Sequence, residues 1–157
     1  EVWNLRRVPY TIPIHYSCPR LAIWTDRSFP DVFDEEFESA VRNALLRVAA
    51  HRDDPWLLGG FIDNELPWAS YAAGGTYTLP ITVLKSEQPT RMREVLVRDL
   101  QRAYDTVEKL NAAWGVEVAE WSALVAHGVD LNREQQERAQ PDLAAMSNRL
   151  ADRKSVG

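Results

Sequence analysis

Cysteine is almost missing from this sequence. Cys18 is the single one, so no disulfide can close within the chain and no thiolate cluster can hold a metal. Long apolar runs are missing too. None approaches roughly 18 residues, the length a membrane-spanning helix needs, and no basic segment leads into a hydrophobic one as in a secretory signal. An excess of positive charge is also lacking. Lys and Arg number 18 against 23 Asp and Glu, for a net charge of −5, and the basic residues are scattered along the chain. That pattern argues against nucleic acid as a partner. Internal repeats and low-complexity tracts are not visible. The chain starts at Glu1 and enters in mid-pattern with Val2, Trp3 and Leu5, so the expectation is a fragment of a longer protein. Any export signal, and with it a secreted or periplasmic location, would belong to that longer protein. Oligomeric state is not legible.

Aromatic residues, by contrast, are plentiful: six Trp and five Tyr. Flat aromatic faces suit the CH-rich faces of sugar rings as well as they suit a core. The most informative stretch is DPWLLGGFIDNELPW, Asp54 to Trp68. Trp56, Leu57, Leu58, Phe61 and Ile62 form an apolar run of the length expected for a strand buried on both faces. It ends in Asp63, Asn64 and Glu65. Two readings follow from the residues alone. The cluster is either a polar turn, with Pro67 stopping the strand, or a site placed at the carboxyl end of a buried strand, where α/β enzymes put their chemistry.

Around that strand the chain divides into recognisable pieces. Tyr10, Ile12, Ile14 and Tyr16 alternate with Thr11, Pro13 and His15, which predicts an irregular or edge strand. His15 could line a sugar site, but a lone histidine two residues after a proline reads more readily as a surface or half-buried residue, and no role is built on it. FPDVFD at 29–34 predicts a turn and then a helix capped by Asp34, with Glu35 and Glu36 in its first turn. Phe37, Val41, Leu45 and Val48 keep one helical face to about His51. After Trp68 the pattern predicts a loop of about twenty residues, longer than a plain connection requires. Trp68, Tyr71 and Tyr77 on it are candidate sugar contacts. Thr90 predicts the cap of a long helix from Met92 through Leu110, ending between Asn111 and Gly115. Pro141 opens a last helix carrying Leu143, Met146 and Leu150.

GGFIDNELPW, FPDVFD and LNAAWG (110–115), with Trp121 after it, together resemble clan A glycoside hydrolases, most closely β-agarases and β-galactosidase-like proteins. The resemblance covers most of residues 29 to 150. It implies an α/β fold, a (β/α)8 TIM barrel that is incomplete in this chain, because a full barrel needs about 200 residues or more. Residues 1–152 would be the partial catalytic barrel and 153–157 a tail departing from the family pattern. The implied activity is retaining hydrolysis of β-linked, galactose-containing saccharides. Glu65 takes the role of general acid/base, and Asn64 that of hydrogen-bonding the sugar hydroxyl next to the reacting carbon. Asp63 would bind or orient at the same rim.

Retaining glycosidases need two carboxyl groups about 5 to 5.5 Å apart. The second comes from a later strand, and Glu87, Glu117 and Glu120 stand in loop or helical contexts, so the nucleophile is expected outside this sequence. Glu65 would need a raised pKa, which burial near Phe61 and Trp68 could supply. No cofactor or metal is expected. A divalent-metal site from Asp53, Asp54, Asp63 and Glu65 is disfavoured, because the first two precede the strand and lie about 20 Å from its far end. The other reading is a carbohydrate-binding module without turnover, in which Trp68, Tyr71 and Tyr77 matter and Glu65 does not.

Overall fold

The computed structural model describes residues 8–22, 28–62, 75 and 77–155. In order they form β1 (Tyr10–Ile14), β2 (Arg20–Ala22), β3 (Ser28–Pro30), α1 (Glu35–Ala49), β4 (Leu57–Ile62), α2 (Thr78–Lys85) and α3 (Arg91–Tyr104). Four helices follow: α4 (Val107–Trp114), α5 (Trp121–His127), α6 (Arg133–Arg138) and α7 (Gln140–Ser155).

The first half is a β-α-β step. Asp34 caps α1, its Oδ1 accepting the Glu36 N–H at 2.9 Å, and Glu35, Glu36 and Glu38 place negative charge where the helix dipole favours it. After α1 the chain turns at Asp54. Its Oδ1 accepts the Trp56 N–H at 3.0 Å and its Oδ2 accepts the Tyr10 hydroxyl at 2.7 Å, which fastens the turn to the start of β1. β4 then runs parallel to β1, with Ile12 opposite Gly60, Pro13 opposite Phe61 and Ile14 opposite Ile62. The register shifts between Tyr10 and Thr11, leaving Leu58 as the extra residue on β4. α1 packs against β1, and Ile14 is buried. Gly60 has a packing reason: a Cβ there would stand 2.5 Å from Ile14 Cδ1.

The expectation that β4 is buried on both faces is corrected. Leu58 and Phe61 are 73% and 57% exposed. Among the described residues β4 has one strand neighbour, β1, and the face turned away from α1 is uncovered. β2 and β3 form a separate antiparallel pair.

The second half is helical, and it holds most of the core. Two further expectations are corrected there. The long loop after Trp68 contains α2, in which Thr78, Leu79, Pro80, Ile81, Val83 and Leu84 are all buried. Because α2 is apolar nearly all round, it lacks the one-sided pattern that marks a surface helix. Pro80 sits third in the helix, where its missing N–H would have had no intrahelical partner. The long helix after Thr90 is two helices. Asp105 adopts a left-handed φ of 67°, and Thr106 starts again as a cap, its hydroxyl accepting the Lys109 N–H at 3.4 Å. α7 continues through Ser155, so residues 153–155 belong to the last helix.

Trp114, Leu110, Leu96, Leu124, Leu143 and Leu150 are buried in the helical core. Asp142 on α7 accepts both the Tyr104 hydroxyl, at 2.6 Å, and the Trp114 indole N–H, at 2.8 Å, through the same Oδ2. One carboxylate oxygen thereby joins α3, α4 and α7. Burial and the carboxylate beside it hold the Tyr104 phenol above its ordinary pKa.

Candidate functional site

The candidate site follows in sequence from the carboxyl end of β4, which pairs with β1. Ile62 is the last residue of β4, so Asp63, Asn64 and Glu65 follow directly from it in the chain. These three, together with Trp68 and Tyr71, lie outside the described residues. What the structure describes is the platform from which they emerge: a strand held in parallel register against β1, preceded by a capped helix and a turn fixed through Asp54. Parallel pairing puts the carboxyl ends of β1 and β4 at the same end of the sheet, and Ile14 and Ile62 are direct partners there.

The residue after Ile14 is His15, which is exposed. Its backbone is held from α1, where the Arg47 guanidinium donates to the His15 carbonyl. The neighbouring Tyr16 packs edge-on against Phe37 of α1, with ring centroids 5.8 Å apart at 80°. The Arg20 guanidinium lies over the Tyr16 ring, 5.9 Å from its centre. Sequence reasoning set His15 aside as a lone histidine; its place next to the end of β4 follows from a strand pairing more than forty residues apart in the chain.

Of the candidate sugar contacts, Tyr77 is described. It precedes α2 and is half-buried against the hydrophobic core, so part of its ring serves packing. Asp53 is exposed and stands 3.6 Å from Arg52. Asp54 is committed to the turn before β4, at the amino end of the strand and therefore opposite to Ile62. Glu87, Glu117 and Glu120 are exposed and none follows a strand. Among the described residues no three His, Cys, Asp or Glu side chains are grouped to hold a metal ion, and no helix is long and apolar enough to cross a membrane.

FPDVFD has a structural explanation of its own. Asp31 in it is nearly fully buried, and its two oxygens accept the Phe33 and Met92 N–H groups, each at 3.2 Å. It thus ties the entry to α1 onto the start of α3. Burial pushes its carboxyl above the ordinary value of 3.8, against the opposing pull of these N–H groups. A raised folded pKa means stability that is fully present below about pH 4 and is lost as pH rises through the folded value. Asp31→Asn is therefore expected to flatten the stability profile just above pH 4, read as urea midpoints between pH 3.5 and 7. An unchanged slope would remove Asp31 as its source.

An open groove of about 290 Å³ lies between α3 and α7, floored by Leu96, Leu100, Ala103, Ala145 and Met146. Neither strand of the β1–β4 pair lines it.

The described residues thus define an α/β segment whose parallel strand end leads into an Asp-Asn-Glu cluster. Solved structures share this fold over nearly the whole chain. An exo-β-agarase matches with a TM-score of 0.79 at 24% identity, over 98% of this chain and 22% of that one. An agarase matches with the same TM-score at 26% identity, over 97% of this chain and 22% of that one. In sequence, β-agarase B of Vibrio sp. (strain JT0107) is 31% identical over 96 residues, which are 59% of this chain and 10% of that protein. β-Agarase A of the same organism is 27% identical over 104 residues, 60% of this chain and 10% of its own length. No family model matches the chain. The chain is thus related to part of these glycoside hydrolases, spanning about a tenth of the curated relatives and about a fifth of the solved ones.

Proposed function

We infer that this chain is part of the catalytic (β/α)8 barrel of a retaining glycoside hydrolase acting on agarose-type polysaccharides. The observation that carries this reading is the sequence relationship to β-agarases over 96 residues, joined to a β-α-β step whose second strand runs straight into Asp63-Asn64-Glu65. Glu65 serves as general acid/base. In the first step it gives its proton to the departing glycosidic oxygen, and in the second it takes a proton from the water that releases the sugar. Asn64 holds the hydroxyl next to the reacting carbon. Asp63, Trp68, Tyr71 and Tyr77 contribute to substrate binding. The nucleophilic carboxylate comes from another strand of the barrel, outside this sequence.

The relatives favour agarose over simple β-galactosides, since the curated proteins and the solved structures above are agarases. Clan A membership belongs to the same proposal. The full-length protein carrying this sequence is expected to cleave neoagaro- or agaro-oligosaccharides with a kcat/KM at least about tenfold above that for an aryl β-galactoside, a discrimination worth about 1.4 kcal/mol at the transition state. Equal or reversed preference would move the assignment to a β-galactosidase. Saccharide binding without hydrolysis of either substrate would establish the non-catalytic binding module instead.

A further inference from the structure

We propose that the open face of the β1–β4 pair is an internal docking surface, covered in the full-length protein by a stretch of the same polypeptide outside residues 1–157. This rests on the reading above only in taking the sequence as part of a longer chain, and not on the role of Glu65.

The pairing itself calls for a cover. β1 and β4 run parallel, and parallel sheets occur almost only with both faces covered, because their crossover connections lie over those faces. One face has its cover here, since α1 packs against β1 and Ile14 is buried. On the other, Thr11, Pro13, Leu58 and Phe61 are exposed. A free edge accompanies the free face: among the described residues β4 pairs with β1 alone, and two strands by themselves are marginal in water.

The open face is also made of the wrong residues for solvent. Pro13 pairs with Phe61 across the ladder, and Thr11 with Gly59. The bulge adds Leu58 to them. Strict alternation would turn Leu58 toward α1 with Gly60 and Ile62, yet it is the extra residue between the Tyr10–Leu57 and Thr11–Gly59 pairs, beside Gly59 at a φ of 152°, and it is 73% exposed. Neither strand carries a charged side chain, the usual guard of a strand left in water. An apolar patch of this kind marks an interface.

Length decides between occupants. The solved agarases share this fold over nearly the whole of this chain but over about a fifth of their own, so most of each of those chains lies outside the matched segment. A cover tethered to the same polypeptide is present at high effective concentration and is spared the entropic cost of bringing two molecules together. A second copy has neither advantage.

Hydroxyl-radical footprinting of the unmodified full-length protein tests the cover without any substitution. Phe61 should be oxidised at least tenfold more slowly in the native protein than in urea, at every protein concentration, with or without agaro-oligosaccharide. Photo-crosslinking from p-benzoylphenylalanine in place of Leu58 identifies the occupant. The crosslinked peptides should join position 58 to sequence outside residues 1–157, in a species that migrates as one chain. Oxidation of native Phe61 within twofold of the urea rate overturns the proposal, because the face is then in water. Protection lost on dilution together with crosslinked dimers also overturns it and assigns the face to a second copy. Protection that needs the saccharide, or crosslinks confined to residues 1–157, overturns it as well. None of these readings depends on hydrolysis, so a fully active Glu65→Gln variant would end the acid/base assignment and leave the docking face standing.

Discussion

Glu65→Gln in the full-length protein is expected to lower kcat/KM on agaro-oligosaccharides by about 10²- to 10⁴-fold, the range general acid–base groups supply. Gln keeps the shape of the side chain and can still donate a hydrogen bond, but it can neither give up a proton to the leaving oxygen nor take one from water. The two steps should respond differently. Sugar alcohols are poor leaving groups, so natural substrates need the acid in the first step. Aryl glycosides with acidic phenols leave without help, so their first step should be nearly normal, and the glycosyl-enzyme should accumulate because the second step lacks its base. A burst of phenol followed by slow turnover is the kinetic sign. Azide attacks without base assistance, so it should restore turnover on the aryl substrate and appear in the product as a glycosyl azide. A variant that loses activity on natural and activated substrates alike, with no response to azide, would place Glu65 in substrate binding or folding. A variant that loses nothing would end the acid/base assignment.

Local chemistry made part of this molecule readable from its sequence. Asp34 followed by Glu35 and Glu36 marks the start of α1 because capping and the helix dipole act within one turn. Leu143, Met146 and Leu150 mark α7 because their spacing keeps one face buried. What failed was whatever depended on distant partners. α2 was hidden because a helix apolar on nearly every side shows no helical period, and Pro80 looked like a breaker although it stands in the first turn. The break at Asp105 was legible only as Asp-Thr, a pair that also occurs inside helices; Thr106 acts as a cap because Asp105 takes a left-handed turn. β4 is open on one face in this chain, since an apolar run states what a strand tolerates and not which neighbours within the same chain cover it. The candidate acid/base, in contrast, came from a motif, Asp63-Asn64-Glu65, carried by resemblance to a family and by sequence adjacency to a strand end.

The largest loss of stability is expected from Arg93→Met. Arg93 is fully buried, and its guanidinium donates to the Ser86 carbonyl at 2.6 Å, the Ser86 hydroxyl at 3.1 Å, the Val125 carbonyl at 2.8 Å and the Ala126 carbonyl at 3.0 Å. One planar fork thereby ties the end of α2 and the last turn of α5 to α3. Burial pulls the guanidinium pKa below its ordinary value, yet Arg stays charged at any working pH. Its helical position foretells burial, since Arg93 lies four before Val97 and seven before Leu100 on the apolar side of α3. The surroundings are shaped to it: Gly128 has a φ of 67°, and a Cβ there would stand 2.8 Å from Arg93 Nη1 and 2.0 Å from the Leu84 carbonyl oxygen. Met fills most of the volume but donates nothing. Three carbonyls would then lose these donors; those of Ser86 and Val125 belong to half-buried residues and that of Ala126 to an exposed one that water can reach. The cost of about 1–3 kcal/mol per unsatisfied buried group therefore falls mainly on the first two, still a large share of the stability of an ordinary domain, about 5–15 kcal/mol. Arg93→Lys keeps three donors on one ammonium but cannot span acceptors on two elements, so its loss should be intermediate. Urea unfolding of the three proteins distinguishes the causes. The order Arg above Lys above Met assigns the stabilisation to hydrogen bonds, whereas Met above Lys would assign it to packing of the aliphatic stem, with the guanidinium contacts contributing little.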